Sequence, residues 1–258
     1  MASMASRFLF IGGLHRSGTT LIARGIEAHP DVRGLSHAPV PEGEGVFLQG
    51  AIPHDACAGV PGRFAEDPAS HMIERGPFDT AATRDRLRSD WDLWYPPGGA
   101  WRVEKSPVNL LRSRLYQQLF PAAQFLFVLR HPLAVARATA KWSGRTEAEL
   151  LAHWDHAHRL LIEDLPHLHN WMIVRFEDFC AGPAVEMARI TAFLRLDDAE
   201  APADVRQGQN SAYVESEPPR GDSRLAAAFG YALDAPEPVG PNPHRGAHWF
   251  RDIREAIA

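Results

Sequence analysis

Lysine is almost missing from this sequence: of 27 basic residues only Lys105 and Lys141 are lysines, and the rest are arginines. A chain that uses arginine almost everywhere keeps a lysine where a compact ammonium does what a planar guanidinium does not, so both positions are candidates for chemistry. Cysteine is scarce too. Cys57 and Cys180 are too few for a disulfide scaffold and point to reduced thiols in a cytoplasmic location. No apolar run approaches the roughly 18 residues of a membrane span, and residues 1–7 show no signal-peptide core. Excess positive charge is also lacking. With 27 Lys+Arg against 32 Asp+Glu the net charge is −5, so neither nucleic acid nor a membrane is an expected partner.

What the sequence does have is concentrated near its start. Phe8-Leu-Phe-Ile-Gly-Gly-Leu-His-Arg-Ser-Gly-Thr-Thr20 reads as an apolar strand, a glycine-bounded loop and a helix opened by two threonines. From Gly13 to Thr20 the spacing approaches the phosphate loop G-x-x-x-x-G-K-[ST]. Such a loop turns backbone N–H groups and a helix N-terminus onto an anion. Thr19 stands where a nucleoside triphosphatase has its lysine, which favours a ligand with less terminal charge than ATP.

The remaining pattern alternates strands and helices. Strands are expected at 7–11, 101–104, 124–129 and 171–175, and helices at 19–28, 83–91, 109–120, 132–142, 147–165 and 183–194. The continuous apolar run 124–129 suits a strand buried on both faces. The expected fold is therefore α/β, three layers α/β/α around a central parallel sheet, like the P-loop nucleoside triphosphate hydrolases. A length of 258 residues with 45% hydrophobic content suits a single domain, 1–258, with irregular pocket-forming segments at about 31–100 and 200–258.

Four blocks in order carry a family resemblance: F-I-G-G-L-H-R-S-G-T-T-L-I, V-E-K-S-P, F-L-F-V-L-R-H-P-L-A-V-A-R-A and I-V-R-F-E-D-F, spanning residues 8–194. The chain resembles the sulfotransferases that use 3′-phosphoadenosine 5′-phosphosulfate (PAPS), in particular tyrosylprotein sulfotransferases and small bacterial sulfotransferases. The resemblance implies transfer of a sulfuryl group from PAPS to a hydroxyl of a small molecule, without a metal. Two alternatives remain: a P-loop nucleotide or small-molecule kinase, and a nucleotide-binding module without chemistry.

The resemblance also assigns residues. Ser17, Gly18, Thr19 and Thr20 would hold the 5′-phosphate, with Arg16 adding charge near the bridging oxygen. Lys105, past the strand 101–104, would stabilise that oxygen as its bond breaks. Arg130, beside the helix start at Pro132, would take the 3′-phosphate. The serine that the family carries eight residues further is Ala138 here, so Thr139, Lys141 and Arg137 compete as the second ligand. Phe176 replaces a tyrosine near the adenine. The pairs Arg220-Gly221 and Arg245-Gly246 resemble a late phosphate loop only weakly. Ser106 and Asn109 read as helix caps, and Glu104 as structural.

The acceptor hydroxyl needs a base. Ungapped counting from the phosphate loop puts His37 where the tyrosylprotein enzymes carry an acidic residue, so His37 is the expected base, with Glu42 and Glu44 as alternatives and His15 behind them. His153, His156 and His158 read as a solvated helix face rather than a metal site, and Trp142 and Trp154 as core or pocket wall.

Overall fold

The computed structural model describes residues 7–54, 61–197, 199–242 and 245–247. Its centre is a six-stranded sheet. Five strands, β1 (Arg7–Gly12), β2 (Val32–Arg33), β3 (Trp101–Lys105), β4 (Gln124–Leu129) and β5 (Asn170–Arg175), run parallel; β6 (Arg245–Ala247) is antiparallel to β5. The order is β2-β3-β1-β4-β5-β6. Strand order reverses at β1, which pairs with β3 on one side and β4 on the other, so the crevice for a ligand opens beyond its carboxyl end.

Period-two alternation divides the strand side chains between two cores. Phe8, Phe10, Phe125 and Phe127 face one layer, where helices α2 (Ala81–Asp92), α3 (Asn109–Leu119) and α5 (Glu147–Asp164) supply Trp91, Tyr116 and Trp154. Leu9, Ile11, Leu126 and Val128 face the other, where α1 (Thr19–Glu27) and α7 (Pro183–Leu194) supply Ile22, Ile26, Met187 and Ile190. The Phe10 and Tyr116 rings stack with centroids 4.5 Å apart. This is the three-layer arrangement read from the sequence, with β2, β6 and the short helix α6 (Phe176–Ala181) added. No helix among the described residues is long and apolar enough to cross a membrane.

Two local readings are corrected. Helix α5, opened by a Thr146–Glu149 capping box, turns its histidines inward: His153 and His158 are buried and only His156 belongs to the exposed side. The solvated face of the helix is the one with Ala148, Ala152, Arg159 and Glu163, whereas His153 and His158 fall on the face covered by α4 (Pro132–Ser143) and by the segment around Phe64. Ser106 and Asn109 do not cap α3, whose N-cap is Val108. Both bond Glu104 instead. Of the cysteines, Cys180 is buried as a free thiol, and Cys57 lies outside the described residues.

Candidate active site

The loop between β1 and α1 is seated where a side chain could not follow. A Cβ on Gly13 would stand 2.5 Å from the Val128 carbonyl oxygen. Gly18, at φ 95°, is the left-handed N-cap of α1, and a Cβ there would lie 2.3 Å from the Phe176 ring. The Ser17 hydroxyl is buried without a partner, and Thr19 is buried beside it. An orphaned hydroxyl at a helix N-terminus is a polar group prepared for a ligand.

From this loop a cleft of about 1080 Å³ extends over the carboxyl edge of the sheet, lined by Arg16, Arg24, Arg130, Arg137, Lys141 and Arg206 among others. Arg130 follows β4 and is 7% exposed. Its Nε donates to Asn210 Oδ1 at 2.9 Å and its Nη1 to the Arg16 carbonyl at 3.1 Å, while the guanidinium lies 4.5 Å above the Phe176 ring. Asn210 in turn donates to Glu177, a buried carboxylate that also accepts from the Tyr231 hydroxyl and the His131 amide. Arg130 is thus held by a chain of buried bonds, with its remaining donors toward the cleft. Beyond Phe176 a second cavity of about 550 Å³ continues between α6 and residues 206–210.

Lys141 reaches the same cleft, its Nζ 3.3 Å from the Tyr213 hydroxyl and 4.7 Å from the ring centroid. Arg137 also lines it, but its guanidinium is committed to Glu147 and to the carbonyls of Tyr213 and Pro218. Thr139 is not brought there. It is 2% exposed and faces a small cavity shared with His15, Gly62 and His153, because it sits on the core side of α4 while Lys141 points out. Arg220 pairs with Glu217 outside the cleft lining, and Arg245-Gly246 lies in β6.

The other wall carries the carboxylates. Lys105 ends β3 and is 5% exposed; its Nζ donates to the Glu42 carbonyl at 2.8 Å and stands 3.6 Å from Glu44 Oε1. Burial raises the Glu44 carboxyl to about 7, against the opposing pull of the Lys105 ammonium. Glu42 accepts from the Thr20 hydroxyl at 3.2 Å. Behind them Glu104 is fully buried, bonded by Ser106 Oγ and Asn109 Nδ2, both at 2.5 Å. Ser106 Oγ also accepts from the Val46 amide, and Trp91 Nε1 donates to the Gly45 carbonyl, which pins the chain just after Glu44, as the Lys105 bond to the Glu42 carbonyl does just before it.

His37 lies elsewhere. It is exposed, at φ 53°, and does not line the cleft or the pocket beside it. His15 lines both, with its pKa lowered to about 4 by burial and then by the Lys105 charge. The structure therefore brings Arg16, Ser17, Gly18, Thr19, Thr20, Lys105, Arg130, Lys141, Phe176, Glu42 and Glu44 around one crevice and leaves His37 and Thr139 out of it. Asn210, Tyr213 and Glu177 are the residues that sequence reasoning missed. Asn210 and Tyr213 gave little signal, because residues 206–216 have no period, whereas Glu177 stood in the I-V-R-F-E-D-F block beside Phe176.

Comparison with known proteins agrees with this geometry. The sequence model of the Sulfotransferase family matches residues 9–200. Protein-tyrosine sulfotransferase A of Caenorhabditis elegans is 24% identical over 206 residues, 74% of this chain and 50% of that protein, so the chain spans about half its length. A putative protein-tyrosine sulfotransferase of Caenorhabditis briggsae is 24% identical over 212 residues, 76% of this chain and 68% of the other. In fold, the sulfotransferase STF1 of Mycobacterium tuberculosis H37Rv superposes with a TM-score of 0.52 at 16% identity, covering 75% of this chain and 68% of that one. With a phosphate loop lacking the triphosphatase lysine, a cationic cleft over the sheet edge and a family match across three quarters of its length, this chain belongs to the sulfotransferase family.

Proposed function

We propose that the protein transfers a sulfuryl group from PAPS to a hydroxyl of a small-molecule acceptor, with Glu44 as the base and Lys105 as the stabilising cation. The observation that carries this reading is the Lys105–Glu44 pair, 3.6 Å apart, with Glu44 lining the same cleft as Thr19 and Thr20. PAPS supplies an activated sulfuryl group, and its residue leaves as 3′-phosphoadenosine 5′-phosphate (PAP). The residues present suit such a ligand. The buried, partnerless Ser17 hydroxyl and the glycine-bounded loop suit a 5′-phosphate, Arg130 and Lys141 a 3′-phosphate, and the face of Phe176 the base.

In-line sulfuryl transfer resembles phosphoryl transfer in that positioning and charge stabilisation supply most of the rate. Lys105 offsets negative charge developing on the departing oxygen. Glu44, near 7, is ionised in part at neutral pH and accepts the proton of the attacking hydroxyl. Lys105 stands beside its carboxylate, and Ser106, itself bonded to Glu104, holds the backbone two residues on at Val46. His37 was the expectation from ungapped counting. Its exposure and its absence from the crevice lining support Glu44 in its place.

Thermal shift with PAP against ATP–Mg tests the donor, since only a true ligand stabilises by mass action. Single-turnover transfer from labelled PAPS then tests the base. Glu44→Gln is expected to lower the rate by about 10²–10⁴-fold, with His37→Ala close to wild type. The reverse pattern would return the role to His37.

A further inference from the structure

We infer that the acceptor is an uncharged, ring-bearing lipophilic compound presenting a phenol-like hydroxyl, and that acidic peptides and sugars are excluded; this rests on the sulfuryl-transfer reading above. Beside the cationic cleft, and sharing His15, Glu42, Glu44, Pro107 and Trp142 with it, is a pocket of about 370 Å³. That volume lies within the range for small-ligand sites. Its position puts any occupant between the phosphate loop and Glu44.

The lining is apolar and flat. Val46, Phe47, Phe64, Val108 and Trp142 supply most of the wall. The two imidazoles act as further ring faces: His15 stands edge-on to Phe64 and to Trp142 at 5.8 Å, and His54 edge-on to Phe47 at 5.0 Å. Edge-to-face contacts of this kind favour a ring among them. Burial keeps His15 neutral at physiological pH, so it adds no charge to the pocket.

Charge gives the exclusion. No lysine or arginine lines this pocket among the described residues. The nearby ammonium of Lys105 is engaged by the Glu42 carbonyl and Glu44. Carboxylates of an acidic peptide entering this pocket would therefore meet Glu42 and Glu44 with no lysine or arginine in the pocket wall to compensate, the cleft cations beyond facing the donor. A sugar would bury several hydroxyls against a wall with few polar partners, each left unpaired at a cost. A phenol has one hydroxyl to satisfy, and Glu44 is there to accept its proton.

The inference is tested by calorimetric titration of the full chain with 2-naphthol, a tyrosine-containing acidic peptide, methyl glucoside and PAP. The expected result is 2-naphthol at least tenfold tighter than the peptide or the glucoside. Phe47→Ala, which touches this pocket and not the cationic cleft, is expected to weaken 2-naphthol tenfold while PAP affinity stays within twofold. Retained PAP binding also reports that the variant is folded. If the peptide or the glucoside binds as tightly as 2-naphthol, or Phe47→Ala leaves 2-naphthol unaffected, the assignment is overturned while PAP binding leaves the donor reading intact. Phe47-dependent 2-naphthol binding without any PAP binding would instead remove the sulfuryl-transfer reading and support the ligand class alone.

Discussion

Among the described residues six cations line the cleft over the sheet edge, whereas the adjoining pocket shares Glu42 and Glu44 with it but is walled by rings and apolar side chains, with no lysine or arginine. The cationic side rests on regular structure: the β1–α1 loop, the end of β4 and the start of α6 deliver Thr20, Arg130 and Phe176 from the sheet edge. The other side is made mainly from residues 41–64, whose described part holds only short 3₁₀ turns and hydrogen bonds to Glu104, Ser106 and Trp91. Lys105 is where the two meet. On the proposed reading, the charged donor would lie against side chains delivered mainly by the sheet edge and the acceptor against an irregular segment, the kind of segment that carries specificity. The division suggests that donor recognition and acceptor choice are separable by mutation.

The largest test of that separation is at the junction. Lys105→Ala removes the cation from the departing oxygen and is expected to lower kcat by about 10²–10³-fold, as loss of one such stabilising group does elsewhere. PAP affinity should hold. Because the ammonium pulls the Glu44 pKa down, its removal should also move the acid limb of the rate profile to higher pH. A loss of PAP binding equal to the loss of rate would show that the two sides are not separate.

Next in size is Arg130→Ala. It removes charge-assisted bonds worth about 1.5–3 kcal/mol, so PAP affinity should fall by roughly 10–100-fold, with kcat at saturating donor largely retained. Equilibrium binding of PAP together with initial rates separates the two terms. Smaller again is Glu104→Ala. It touches neither ligand, but it frees Ser106 and Asn109 and loosens the backbone beside Glu44. About a tenfold fall in kcat with unchanged PAP affinity is expected, since one misplaced buried bond costs about 1–3 kcal/mol. An equal fall in PAP affinity would place Glu104 in the support of the whole site.

Sequence reading served these two sides unequally, for physical reasons. Phe8–Phe10 and the run at 124–129 announce themselves as strands through apolar period and length, and Gly13 and Gly18 through the close approaches that only glycine allows. Lys105 and Arg130 follow because strands fix what stands at their ends. Between residues 34 and 45 no element fixes the register. His37, Glu42 and Gly43 take left-handed backbone there, and counting without gaps cannot say which side chain turns inward. The inward turn of His153 and His158 is decided by what covers α5 in space, which its helical period does not record. Asn210 and Tyr213 reach Arg130 across about 80 residues of sequence from a segment with no period at all.

The smallest effect at neutral pH concerns stability, and it sets two groups of the acceptor side against each other. His153 packs edge-on to Phe64, a wall of the apolar pocket, and burial lowers its pKa from 6.5 to about 3. The unfolded chain therefore binds a proton that the folded chain refuses, and the stability present above pH 6.5 is lost as pH falls toward about 3. Glu44 has the opposite sign. Its folded value of about 7 lies above the usual carboxylate range, so its contribution is complete below about pH 4.5 and is lost as pH rises through 7. Each slope is roughly 1.4 kcal/mol per pH unit inside its window. His153→Gln keeps an acceptor for the Ala65 amide but cannot titrate, so acidification from pH 6.5 to 5 should cost it less than it costs wild type. Glu44→Gln should gain on wild type as pH rises from 5 to 7. Urea midpoints of the three proteins at pH 5, 6 and 7 measure both differences. Parallel curves for wild type and Glu44→Gln would mean that Glu44 titrates as an ordinary surface carboxylate, and the base proposed here would lose its tuned pKa.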